Sequence, residues 1–91
     1  MSTGGYRVAF TPAARRAVAR LPEKAASAAV EFCLGPLARS PRRVGKPLQR
    51  ELAGYHSAHR GGYRVVYRID DLARTVYVLR IEHRSDVYRS R

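Results

Sequence analysis

"RGGYRVVYRIDD", residues 60–71, is the stretch on which the reading of this chain turns. Tyr63, Val65, Tyr67 and Ile69 recur at every second position, the period of a half-buried β-strand. The positions between them hold Arg64, Val66 and Arg68, and Arg60 stands just upstream. Gly61-Gly62 before the strand and "DDLAR" (70–74) after it are turn sequences. The stretch is therefore a strand between two turns, with one apolar face and one face set with guanidinium groups.

Downstream, "TVYVLRIEHR" (75–84) predicts a second long strand. Simple alternation puts Tyr77, Leu79 and Ile81 on its apolar face, and Val76, Val78, Arg80, Glu82 and Arg84 on the other. Upstream, a short strand is expected near Tyr55–Arg60, preceded by a Pro- and Gly-containing loop from Ser40. "YRVAF" (6–10) opens the domain as a further strand. Thr11 is a good N-cap and Pro12 suits the first helical position, so a helix starts there. Its stripe is Ala14, Ala17, Val18 and Leu21, and Pro22 ends it. A second helix runs from about Glu23 to at least Leu34, with Ala26, Ala29, Val30, Cys33 and Leu34 on one face. Gly35-Pro36 breaks or bends it, although Leu37 keeps the spacing for a further turn.

The order β-α-α-β-β-β defines an α+β class: a mostly antiparallel sheet with an N-terminal helical hairpin packed on one face. Ninety-one residues make one domain, and a 45% hydrophobic content with eight aromatic residues is enough for one core. If the apolar strand faces lie under the helices, Arg7, Arg64, Arg68, Arg80 and Arg84 share the opposite face. Tyr63, Tyr67 and Tyr77 are then expected in the core, and the open face is expected to be basic without aromatic rings.

The charge balance names a class of partner. Eighteen Lys and Arg against seven Asp and Glu give +11, and sixteen of the eighteen are arginine. From Arg39 to Arg68 eight cations meet one acid, Glu51, a local balance of +7. Such a surplus attracts polyanions and speeds their encounter with the protein. Arginine's planar fork also matches phosphate oxygens. Codon composition explains a high Arg:Lys ratio but not the net excess. Cys33 is the only cysteine, set among Val30, Phe32 and Leu34, and is expected to be a buried thiol with no disulfide. Residues Met1–Gly5 lack an apolar signal region, and no apolar run approaches the roughly 20 residues of a membrane span, so a cytoplasmic protein with no membrane contact is expected.

Several of these segments together resemble the RelE-type toxins of the RelE/ParE toxin–antitoxin superfamily. The resemblance is carried by the "LP" corner (21–22), "GKPL" (45–48), "GYRVVYRID" (62–70) and "HRSDVYR" (83–89), and extends over nearly the whole chain. It implies the small RelE sheet capped by a helical hairpin. It also implies an endoribonuclease that cuts messenger RNA on the ribosome without a metal ion or cofactor, and a RelB-like antitoxin as cognate partner.

Metal-free RNA cleavage needs the 2′-hydroxyl deprotonated, the phosphorane stabilised and the 5′-oxygen protonated. By resemblance, Arg64 in "GYR" corresponds to the arginine at the scissile phosphate, and Tyr88 in "DVY" to the tyrosine near the attacking hydroxyl. Arg84 corresponds to a second phosphate arginine. His83, with Glu51 upstream, offers an alternative proton carrier, and the choice between His83 and Tyr88 stays open. Where some members carry two lysines, this chain has "HSAHR" (56–60), which makes His56 and His59 RNA-binding candidates. Arg42, Arg43, Lys46, Arg50 and Arg60 are expected to supply diffuse RNA attraction, with Arg68 and Arg80 at or near the site. Glu82 and Asp86 read as structural partners of nearby arginines. Two other functions stand beside this one: a ParE-like poison of DNA gyrase on the same fold, and a non-catalytic RNA- or ribosome-binding module.

Overall fold

A computed structural model describes residues 5–83. Arg84, Asp86 and Tyr88 lie outside the described residues. The chain runs β1 (Arg7–Phe10), α1 (Pro12–Arg20), α2 (Glu23–Phe32), β2 (Lys46–Pro47), β3 (His56–Arg60), β4 (Tyr63–Asp70) and β5 (Thr75–His83). The strands form one sheet in the order β1-β5-β4-β3-β2. Three pairings are antiparallel, and β1 joins β5 in parallel at the edge. The α+β class with a helical hairpin on one sheet face is the one expected.

Local chemistry explains the element boundaries. Thr11 caps α1 by accepting from the Ala14 amide at 3.2 Å, and its hydroxyl lies 3.2 Å from the Leu79 carbonyl, to which it donates. The cap therefore ties helix, β1 and β5 together. Pro36 has no amide hydrogen and crowds the carbonyl four residues back. The chain responds by widening into a π-helical turn over Cys33–Leu37 rather than stopping at Leu34. That turn buries Cys33 and Leu37 completely. Burial pushes the Cys33 thiol up to about 12, so it is a packing group and not a nucleophile near neutral pH.

The core lies between helices and sheet, built on Ala14, Ala29, Phe32, Leu37, Val65, Tyr67, Val76 and Val78. The phase expected for β4 is the one found: Tyr63, Val65 and Tyr67 are buried. The phase expected for β5 is corrected. Val76 and Val78 are buried and Tyr77 and Leu79 are not, because a bulge inserts an extra residue opposite Val66/Tyr67. Val66 pairs with Arg80 and Tyr67 with Val78, so Leu79 is the extra residue and Ile81 returns to the core. Tyr77 and Leu79 consequently join Arg64, Val66, Arg68, Arg80 and Glu82 on the open face. That face is mixed, with an apolar centre between cations.

Two further details lie outside the sequence reading. Lys46–Pro47 pairs with β3 and adds an edge strand within the segment expected to be loop. Gly45 sits against it, where a Cβ would stand 2.6 Å from the Ser57 carbonyl oxygen and closer still to the Tyr67 hydroxyl. Only glycine fits there.

Candidate functional site

Alternation along β4 turns Arg64 away from the helices, and pairing sets it beside His59 of β3 and Glu82 of β5. Arg64 Nε donates to Glu82 Oε1 at 3.0 Å, and its Nη2 reaches the same oxygen. Arg80 Nη1 donates to the other oxygen, Oε2, at 3.1 Å. One carboxylate thus positions two guanidinium groups and leaves the trio with a net positive charge. Burial by itself would raise the Glu82 pKa, but the hydrogen bonds from Arg64 and Arg80 outweigh it and hold the carboxyl below its ordinary value. Glu82 is therefore a holder of cations rather than a proton donor near neutrality. Its reading as a structural partner of arginines agrees with this geometry.

Beside the trio, at the Gly61-Gly62 turn, opens a hollow of about 370 Å³ lined by His59, Tyr63, Arg64, Glu82 and His83. His83 pairs with Tyr63, so strand alternation assigns it to the helix side. Arg64 and His83 thus border the same hollow from opposite faces of the sheet end. His59 is exposed and shares the face of Arg64. Arg84 and Tyr88, the other two catalytic candidates, fall outside the described residues.

The remaining candidates divide by face. Arg68 lies on the open face with its guanidinium 4.5 Å from the Tyr77 ring centroid. Lys46 pairs with Ser57, which faces the same way by register, at the sheet edge. Arg43 and Arg50 are exposed on the loop that leads to β3. Glu51 is exposed in the adjoining 3₁₀ turn.

Three of the RNA-binding candidates, His56, Arg60 and Arg42, are placed away from Arg64. His56 pairs with Tyr67 and stacks on its ring at 5.5 Å between centroids, on the helix side. Its Nδ1 is buried without a hydrogen-bond partner among the described residues. Burial, then the nearby charge of Arg42, lowers its pKa, which favours neutral imidazole. Arg60 also faces the helices, its guanidinium 4.7 Å from the Phe32 ring centroid. Arg42 is paired with Asp71 through two hydrogen bonds, at 2.7 and 3.2 Å. Asp71 follows the far end of β4, roughly 20 Å along the strand from Arg64. Period-two alternation separates His56 and Arg60 from His59, and this becomes visible once β3 is registered against β4.

Sequence reasoning missed a second hollow, of about 300 Å³, in the centre of the open face. Leu48, Leu52 and Tyr55 of the loop form one wall, and Val66 and Leu79 form the floor, with Arg64 and Arg80 beside them. Leu52 is half exposed there. The available signal was three apolar residues, Leu48, Leu52 and Tyr55, at spacings of four and three inside an otherwise basic loop. Among the described residues no three His, Cys, Asp or Glu side chains cluster as a metal site, and no helix is long and apolar enough to cross a membrane.

Comparison with known proteins places the chain in a family. The model of the ParE toxin of the type II toxin–antitoxin system parDE matches residues 6–88. Toxin RelG of Mycobacterium tuberculosis is 57% identical over 84 residues, covering 92% of this chain and 97% of that protein. Toxin RelE of the same organism is 55% identical over 84 residues, covering 92% and 87%. A crystal structure of the toxin–antitoxin complex RelBE2 from M. tuberculosis contains a chain 56% identical to this one, with a TM-score of 0.86 over 88% of this chain and 99% of that one.

Proposed function

We propose, from the premise that this chain belongs to the RelE/ParE superfamily of type II toxin–antitoxin toxins, that it is an mRNA endoribonuclease acting on the ribosome. In this reading a substrate 2′-oxygen attacks the adjacent phosphorus and the bond to the 5′-oxygen breaks. The proton lost from the 2′-hydroxyl is balanced by one delivered to the leaving oxygen, giving a 2′,3′-cyclic phosphate and a 5′-hydroxyl end. No metal ion is assigned a step. Arg64 neutralises the charge that gathers on the phosphorane oxygens. Arg84 adds a second guanidinium by family resemblance, and Tyr88 or His83 moves the protons. Arg43, Lys46, Arg50, His59, Arg68 and Arg80 attract the backbone.

The observation that carries this reading is the Arg64 guanidinium, oriented by Glu82 on the open sheet face beside a hollow that His83 also borders. A cation held before substrate arrives needs no reorganisation during the reaction. A RelB-like antitoxin, acidic enough to cover a +11 surface, is the proposed cognate partner, and the RelBE2 complex supports that assignment. The site of action is the cytoplasm. In a translation extract the protein is expected to stop synthesis and leave messages with new 5′-hydroxyl ends, and Arg64→Ala to do neither. Arrested translation with intact message would sink the nuclease reading.

The ParE family match favours a second reading, a gyrase poison on the same fold. Supercoiling by purified gyrase, with and without the protein, separates the two. Inhibition there, with no RNA cut, would replace the first reading by the second.

A further inference from the structure

We propose that the apolar hollow beside Arg64 receives the base of a nucleotide adjoining the phosphodiester that is cut. This rests on the ribonuclease reading and adds a substrate subsite to it. Arg64 borders both hollows, the one at the Gly61-Gly62 turn and the one under Leu52. A strand with its reacting phosphate at Arg64 has a neighbouring nucleotide within reach of the second hollow.

The chemistry of that hollow suits a nucleobase. Its floor is Val66 and Leu79, and Tyr55 adds an aromatic ring to the wall. Its lining includes no carboxylate, while the cations of Arg64 and Arg80 stand at one side, steadied by Glu82. The ligand that complements it has a flat apolar face attached directly to negative charge, and a nucleotide has that form. The volume of about 300 Å³ admits one ring system, whereas an α-helix is roughly 10–12 Å across with its side chains. Unstacked RNA bases are commonly received on aromatic rings and guanidinium planes. Because the walls are mostly hydrocarbon, the hollow selects for the presence and size of a base more than for its hydrogen-bonding edge.

The test uses ribosomes programmed with messages that each lack one base near the cut site. The full-length protein is expected to cleave one of these about ten-fold more slowly than the intact message, the loss of one stacked base. Tyr55→Ala and Leu52→Ser, both on the surface loop, are expected to cut intact message about ten-fold more slowly and to lose the discrimination against the abasic one. Unchanged thermal melting of the two variants confirms that they are folded. Equal cleavage of intact and abasic messages by the unaltered protein would overturn the proposal. So would variants that keep the full ten-fold preference, including the case in which they only loosen the grip on a polypeptide partner. Failure of the unaltered protein to cut any message counts against the ribonuclease reading itself, and the subsite falls with it.

Discussion

Arg64 and Glu82 face each other across β4 and β5, with Nε 3.0 Å from Oε1 and the other carboxylate oxygen occupied by Arg80. The pair converts a flexible strand arginine into a fixed cation. It also links the candidate site to the stability of the sheet. The Glu82 carboxyl titrates below its ordinary value in the folded protein, so its contribution is present at neutral pH and fades as pH falls through that depressed value. Glu82→Gln is expected to flatten this part of the acid limb and to cost about 1 kcal/mol at pH 7, a figure discounted for the partial exposure of Arg64. Urea unfolding of both proteins at neutral and acidic pH measures it. An acid limb that is identical in the two proteins would detach Glu82 from the effect.

Gly45 offers a test of the packing beneath β2. The atoms a Cβ would meet are the Ser57 backbone and the hydroxyl of buried Tyr67, which itself donates to the Pro41 carbonyl at 2.5 Å. Neither can withdraw easily. Gly45→Ala is expected to destabilise the fold by about 1–3 kcal/mol, the usual cost of overpacking. Thermal or urea denaturation reads this directly, and a neutral substitution would contradict the placement of the loop.

His56 carries a pH prediction of opposite origin. Its pKa is lowered in the folded state, so the unfolded chain takes up a proton first as pH falls below the ordinary histidine value of about 6.5. Stability is therefore lost on acidification from there down to the folded value. NMR titration is expected to show the His56 imidazole titrating below 6.5. His56→Phe, which keeps a ring against Tyr67, is expected to remove that segment of the stability profile. A His56 titrating at or above the ordinary value would refute the burial argument.

The division of cations between faces predicts how RNA binding responds to salt. Arg68 lies on the open face, whereas Arg42 is neutralised by Asp71 beyond the other end of β4. Arg68→Ala is expected to reduce the slope of log affinity against log salt by about 0.7, the value of one single-stranded phosphate contact. Arg42→Ala is expected to leave the slope unchanged. Binding measured between 50 and 200 mM salt, roughly the range in which the effect is large, distinguishes them. Equal losses would mean that charge acts here without regard to position.

Much of this fold is visible in local sequence because several strong signals agree. Thr11-Pro12 starts a helix by capping chemistry. "YRVVYRID" alternates aromatic or aliphatic residues with arginine for most of its length, so the face that carries Arg64 is readable without coordinates. The lone thiol among apolar neighbours is where it was expected, inside. By contrast, "TVYVLRI" has four apolar residues in succession, Val76 to Leu79. Either phase of such a run buries hydrocarbon, and only pairing with β4, through the extra residue Leu79, decides that Val76 and Val78 go inward.

The candidate site divides in the same way. From sequence by itself come the +11 charge, the strand bearing Arg64 and the helical hairpin that covers one side of the sheet. Only tertiary structure decides that His56 and Arg60 take the helix side and His59 the open side, places Glu82 between Arg64 and Arg80, and lays Leu48, Leu52 and Tyr55 over Val66 and Leu79. The physical reason is range: capping and alternation act within a few residues, whereas strand register and a loop's resting place depend on partners far away along the chain.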